Sequence, residues 1–343
     1  MRIPSLLLAS TFCFFFPAAV GAQSLAAPAP VVLEQMVVSG EQPGPGMWKV
    51  SKGDHVLWIV GTQTPVPQKM TWRAKGIEAI VAQSQEILTA PSMTISLKQI
   101  GYFRALTMLP SLMQVRKNPD GAMLKDVVPP ALYARWLPLR DKYIEQYNSD
   151  SESDVEGWRP MFAALELYRN AIRKSGLSSS SPVWGVISDA AKKHNIKITN
   201  VKFEPVISEP RAALKELRES RLADIDCFAK TIERIETDLA AMRVRANAWA
   251  RGDIDAIRKQ PAADQRAACE AAIRDASFMK TLGAQNALAQ MEITWLNAAE
   301  AALKTDKVAL AVLPIAQIVA PDGYVAKLRA RGYVVQEPDA GTE

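Results

Sequence analysis

Two short apolar runs at opposite ends of a 343-residue chain constrain the fold most. They are His55-Val56-Leu57-Trp58-Ile59-Val60 near the start and Val308-Ala309-Leu310-Ala311-Val312-Leu313 near the end. Each has the length of a strand and lacks polar alternation, so each reads as an interior strand covered on both faces. The intervening chain is mostly helical in pattern. The sequence therefore predicts an α/β (α+β) fold, with a central mixed sheet built from N- and C-terminal strands and a large helical insertion between them.

Local signals fill in that frame. Residues 47–50 and 55–60 flank the polar turn Ser51, Lys52, Gly53 and Asp54, which predicts a β-hairpin. A helix with Ile77, Ile80 and Val81 on one face follows, then a short strand at Glu86, Ile87, Leu88 and Thr89. In a strand–loop–helix–strand unit the loop falls at the carboxyl end of the sheet. Residues 94–194 read as helical, with Leu132, Trp136 and Leu139, then Phe162, Leu165 and Tyr168, recurring at helical spacing. Residues 196–198 and 201–203 alternate like strands. Phe228, Ile232, Ile235, Leu239 and Met242 form one core-facing stripe on a single predicted helix, which Gly252 and Asp253 end. Residues 314–321 read as a loop. A short helix then runs to Arg331, with Gly332 as its cap and Tyr333, Val334 and Val335 as a last strand.

The first 22 residues read as a signal peptide: Arg2, an apolar run over residues 6–16, then Val20, Gly21 and Ala22 before Gln23. Residues 23–46 read as a Pro-rich extended leader, residues 47–338 as a single domain, and residues 339–343 as a tail. Export to the periplasm or outside the cell is therefore expected, and no segment of the mature chain is long and apolar enough to span a bilayer. In an oxidising compartment Cys227 and Cys269 are read as a disulfide in preference to two buried thiols. Within the leader, Val31, Val32 and Leu33 with Met36, Val37 and Val38 suggest an edge strand. They also resemble the TonB-box peptides of outer-membrane transport systems, which makes an envelope protein or peptide a possible partner.

Composition narrows the chemistry. Two histidines and three cysteines leave few soft ligands, so a zinc-cluster protein is excluded. The formal charge is +5, yet the basic residues are interspersed with acids and no basic run carries interleaved aromatics, so nucleic-acid binding is not expected. Gly-x-Ser-x-Gly and phosphate-cradling glycine loops are absent.

The strand followed by Gly61, Thr62, Gln63 and Thr64, the stretch from Trp249 to Asp253, and Asp322-Gly323-Tyr324 through Gly332 and Tyr333 resemble the TraB/GumN family, relatives of the Tiki proteins. The resemblance covers about residues 48–335, making 47–338 a TraB/GumN-like domain. It implies a metal-dependent hydrolase, including peptidases, with two Gly-x-x-His motifs at strand ends and an acidic residue after the first helix. Such a set would hold a divalent ion and activate a bound water. This chain departs at each position. Thr64 stands where the first histidine is expected. The second motif aligns as Pro314, Ile315, Ala316 and Gln317, and the acidic position falls near Ala90. The cleft positions that match the family are Gly61, Thr62, Thr64, Pro67, Gln317, Asp322 and Gly323, with no catalytic residue, no metal ligand and no cofactor among them.

His55, at a strand start, and His194, in an exposed helix end, are not expected to supply the missing ligands. The expected role is that of a non-catalytic binding or scaffolding protein. The alternative is a metal-dependent hydrolase with a rearranged ligand set, which requires Glu86, Asp322 or Glu337 to converge.

Overall fold

The computed structural model describes residues 42–96, 100–144, 155–259 and 264–338. The segment read as a signal peptide, most of the segment read as a leader and the tail lie outside these residues, as does the valine-rich segment read as an edge strand. Ten strands occur among the described residues: β1 (Met47–Lys52), β2 (His55–Thr62), β3 (Val66–Pro67), β4 (Glu86–Leu88), β5 (Ser92–Met93), β6 (Leu177–Ser178), β7 (Lys197–Thr199), β8 (Lys202–Phe203), β9 (Val308–Pro314) and β10 (Val334–Gln336).

Six of them form one mixed sheet in the order β10-β1-β2-β9-β4-β7. The pairs β2–β9, β9–β4 and β4–β7 are parallel, while β1 pairs antiparallel with both β2 and β10. The predicted α/β frame of N- and C-terminal strands around a helical insertion is thus the observed one. The two apolar runs are direct neighbours along their whole length, from Val56 beside Val308 to Thr62 beside Pro314. In β9, Ala309, Leu310, Ala311, Val312 and Leu313 are all buried, so both faces of this strand are covered. Helix Lys75–Gln83 brings Ile77 and Val81 to the core, and helix Pro182–His194 brings Val183 and Ile187. Helix Ala287–Thr305 adds Trp295, Leu296, Ala299 and Leu303, whose spacing of three and four keeps them on one side.

The insertion has its own core. Leu132 and Trp136 of helix Pro130–Tyr143 meet Ala163, Ala164 and Leu167 of helix Pro160–Lys174 and Phe228, Ile232 and Ile235 of helix Ile225–Thr237. The Trp136 and Phe228 rings lie 5.4 Å apart. Sequence pattern placed Phe162, Leu165 and Tyr168 on the packed face, but these are half-buried. Ala163, Ala164 and Leu167 are fully buried instead.

Three expectations need correction. Residues 314–321 hold the helix Ile315–Val319, because Ile315 and Ile318, three apart, bury against the sheet. The stripe from Phe228 to Met242 is split at Asp238, whose carboxylate is held by Arg234 and Arg245 and which separates helix Ile225–Thr237 from helix Leu239–Ala250. Met242 packs with Ile172 and Leu177 instead of the Trp136 core. The region read as wholly helical contains β6, which pairs with β3.

Cys227 and Cys269 are bonded, with Cα atoms 4.5 Å apart, joining helix Ile225–Thr237 to helix Asp264–Arg274. Among the described residues no helix is long and apolar enough to cross a membrane.

Candidate functional site

The carboxyl ends of β2, β9 and β4 lie side by side, so the three loop positions singled out in the sequence emerge at one end of the sheet. Gly61 pairs with Leu313 and Thr62 with Pro314, and the Thr62 hydroxyl donates to the Leu313 carbonyl at 3.3 Å. Leu88 of β4 pairs with Ala311, so Ala90 follows at the same end.

Gly61 is where two elements nearly touch. A Cβ at this position would lie 3.0 Å from Cβ and Cγ1 of Ile315, which opens the helix after β9. The Gly61 carbonyl accepts a hydrogen bond from Trp249 Nε1 at 2.8 Å. Trp249 is fully buried and stands edge-on to Trp72, with ring centroids 6.1 Å apart. The stretch from Trp249 to Asp253 therefore works as an anchor for the first loop. Gly252 takes φ +71°, and the Asp253 carboxylate accepts from the Ala256 amide at 2.9 Å, starting helix Ile254–Arg258. The sequence marked this stretch only as part of a resemblance. Its anchoring role, and Trp72 behind it, were not visible, because a tryptophan in an apolar stretch gives no sign of which carbonyl its indole will find.

Thr64 is exposed, and the Thr64–Pro65 peptide is cis. Pro67 sits in β3 against Leu177, drawn toward the insertion. Gln317 lies in the helix Ile315–Val319, and its side-chain Oε1 is buried without a hydrogen-bond partner. Gly323 is packed directly on the same helix: a Cβ there would lie 2.2 Å from the Gln317 carbonyl oxygen and 3.0 Å from that of Ala320. Asp322 is exposed. Burial, with a smaller contribution from the Glu292 charge, pushes the Tyr324 hydroxyl up to about 12, so this phenol stays protonated near neutral pH.

Glu86 and the two histidines lie away from this end, whereas Glu337 lies at the edge of the sheet, level with Ile59 in the strand register. Glu86 opens β4 and donor groups of Lys197 Nζ and Thr199 Oγ1 reach its Oε1 at 2.5 Å. Burial raises its pKa, but the hydrogen bonds and the Lys197 charge outweigh burial and hold the carboxyl below its ordinary range. Glu337 follows β10 and pairs with Arg258 at 2.7 Å and Arg329 at 3.5 Å. Since β10 and β4 are four strand spacings apart in the sheet order, Glu86 and Glu337 are separated by roughly 19 Å across it. His55 stands at the amino end of β2, with Nδ1 2.7 Å from the Asp306 carbonyl oxygen and Nε2 3.5 Å from Asp54. His194 is in the exposed last turn of its helix, which Asn195 caps in the left-handed conformation at φ 55°. Among the described residues no group of three His, Cys, Asp or Glu side chains is gathered where it could hold a metal ion.

A cavity of about 560 Å³ lies away from the strand ends, in the insertion. It is lined by Gln114, Lys117, Asp120, Trp158, Arg218 and Glu219 among others. Sequence pattern did not point to it, because its walls come from segments about 100 residues apart.

No curated protein and no solved structure matches the chain. The sequence model of the TraB/PrgY/gumN family matches residues 46–337, which span the whole sheet and its helical insertion, and the chain belongs to this family.

Proposed function

We propose that this chain is an exported, non-catalytic member of the family, whose strand-end cleft binds a ligand or serves as a scaffold. One observation carries the reading. The loop framework of Gly61, Thr62, Gln317 and Gly323 is packed together at the carboxyl ends of the parallel strands, while the positions implied for histidines and an acid hold Thr64, Gln317 and Ala90. A threonine hydroxyl and an amide oxygen are neutral donors. They hold a transition metal poorly and cannot take up a proton near pH 7. They can still hydrogen-bond, and Gln317 Oε1 is buried with no hydrogen-bond partner. The carboxylates that a rearranged ligand set would require do not come together, since Glu86 and Glu337 are each held by cations in different places. Export rests on the charged and apolar segment before Ala22 and agrees with the Cys227–Cys269 bond.

Metal analysis tests the reading. The chain from Gln23 is loaded with Mn²⁺, Co²⁺ or Zn²⁺ and dialysed, and the expected result is no stoichiometric retention. One equivalent per chain would overturn the proposal and send the protein to a peptidase assay. N-terminal sequencing of the protein recovered from an exporting host should begin at Gln23, and a chain that keeps residues 1–22 would remove the export part of the proposal.

A further inference from the structure

Helix Tyr102–Gln114 turns its most apolar side outward. Phe103 is 82% exposed, Tyr102 66%, Leu106 63%, Met113 56% and Leu109 50%. At 100° per residue these five and Pro110 fall within an arc of about 120°. Opposite that arc, Met108 is buried and Ala105 and Ser111 are half-buried against helix Pro210–Glu219, where Arg211 donates to Thr107 at 3.0 Å. Leu112, between Ala105 and Met108 on that side, is 51% exposed, so the packed strip is narrow and the apolar arc is unpartnered among the described residues. Scattered exposed apolar side chains need no explanation, but a contiguous face of aromatic, leucine and methionine side chains marks an interaction surface.

Charge identifies what covers it. From Met93 to Lys117 the sequence contains no Asp or Glu and four cations, Lys98, Arg104, Arg116 and Lys117. Arg104, Arg116 and Lys117 are exposed, Arg116 lies over the Trp158 ring at 4.8 Å, and Arg211 and Arg218 reach across from the neighbouring helix to Thr107 and Ser111. Asp120 and Glu219 line the cavity beyond the helix's carboxyl end. An exposed apolar arc with aromatics, with the exposed Arg104 on the far side of the helix and Arg116 and Lys117 just past its carboxyl end, fits a helix lying in a membrane interface. Its 13 residues give a length of about 20 Å, too short to cross a hydrocarbon core of about 30 Å, so it lies along the surface. A second copy of the chain would bring the same cations to the contact and no acid from this stretch. Anionic headgroups supply the missing sign.

We propose that this face docks the protein on a bilayer surface rich in anionic lipid. The helix follows the β5–β8 ribbon, whose pairing continues that of β4 and β7 past their carboxyl ends, from Thr89 and Thr199 to Thr94 and Phe203.

Vesicle flotation tests this with the chain from Gln23, which retains every core residue named above. The vesicles are phosphatidylcholine alone, or an equal mixture of phosphatidylcholine and phosphatidylglycerol. Binding is expected on the mixture, with at least a tenfold loss of partitioning for the doubly substituted Phe103→Glu, Leu106→Glu chain and a loss on raising salt. Both substituted positions face solvent, and unchanged thermal melts confirm that folding is intact. Replacing Arg104 and Lys117 by Gln should flatten the salt dependence. No binding to either vesicle, equal binding to both, or equal binding of wild type and the Glu variant would each overturn the proposal. So would a wild-type dimer that ignores vesicles and is dissociated by the Glu substitutions, which would assign the face to a second copy.

Discussion

Single residues at the strand ends do more than fill a family pattern, and their roles can be read from the space around them. Gly323 adopts an ordinary φ of −72°, so its requirement is steric, not conformational. Its missing Cβ is what allows the Gln317 carbonyl to approach. Gly323→Ala forces the backbone of one of two packed turns to move and is expected to cost about 2–3 kcal/mol in urea unfolding. Gly185, exposed in helix Pro182–His194 with no atom near its would-be Cβ, is the control. Gly185→Ala should leave stability unchanged or raise it by about 0.5–1 kcal/mol. Tyr324 makes a separate prediction about pH. Its hydroxyl is raised to about 12 in the folded chain, mainly by burial, against about 10 in the unfolded chain. The folded state therefore binds the proton more tightly. The associated stability is intact below pH 10, falls as pH rises from 10 to 12, and is on the order of 2 kcal/mol. Wild type and Tyr324→Phe should show similar urea midpoints at pH 7, with wild type losing more between pH 10 and 12. An identical alkaline slope for the two proteins would contradict the burial of this hydroxyl.

At the scale of elements, the insertion depends on one buried cation. Arg159 is 2% exposed and donates to five carbonyl oxygens, at Val115, Lys117, Leu217, Arg218 and Ser220. These are the carboxyl ends of helices Tyr102–Gln114 and Pro210–Glu219, so one guanidinium satisfies carbonyls that two helices leave unpaired and sits at both negative dipole ends. Burial lowers its pKa, while Asp224, also buried and bonded to the Met161 amide, opposes that effect. Arg159→Met would strip several carbonyls at once and is expected to destabilise by at least about 3 kcal/mol. Arg159→Lys should rescue little, since an ammonium cannot reproduce the fork. Limited proteolysis should show new cuts near residues 115–118 in both variants. This element shows where sequence reading stops. The apolar runs of β2 and β9, the hairpin turn at Gly53 and the periodic helices were legible because their signals are local. The placement of β9 between β2 and β4 was not, nor was the β3–β6 pairing, nor the helix inside residues 314–321, since each depends on partners distant in sequence. Arg159 is an extreme case. Nothing in its neighbourhood distinguishes it from the chain's other arginines, and only the fold brings two helix ends to it. At the strand ends, sequence located the loop positions around Gly61, Thr64 and Gln317. It did not show that Trp249 fastens the Gly61 loop or that Gln317 keeps an unpartnered oxygen.

The whole molecule joins a sheet with its own core to a helical insertion with another, and the two cores hold together by different means. The sheet core draws on both ends of the chain: β1 and β2 from one, β9 and β10 from the other. Closing it brings distant segments together and holds the ends of the insertion in place. The helical core around Trp136, Leu167 and Phe228 is made from segments internal to the insertion, and the Cys227–Cys269 bond ties its helices over a separation of 42 residues. In the chain-entropy view, a cross-link of that span stabilises by about 4 kcal/mol by restricting the unfolded chain. Reduction should therefore act on the insertion first. Dithiothreitol, or replacement of both cysteines by Ala, should lower the urea midpoint of the far-UV helical signal. The fluorescence of the six tryptophans left after replacing Trp136 and Trp158 with Phe should respond less. Trp48, Trp72, Trp249 and Trp295 lie in the sheet core, Trp58 packs against it, and Trp184 sits on helix Pro182–His194, whose Val183 and Ile187 belong to it. Coincident shifts of both signals would mean that the sheet and the insertion unfold as one unit. That outcome would make the Trp249–Gly61 anchor and the β3–β6 pairing contacts that couple the insertion to the end of β2.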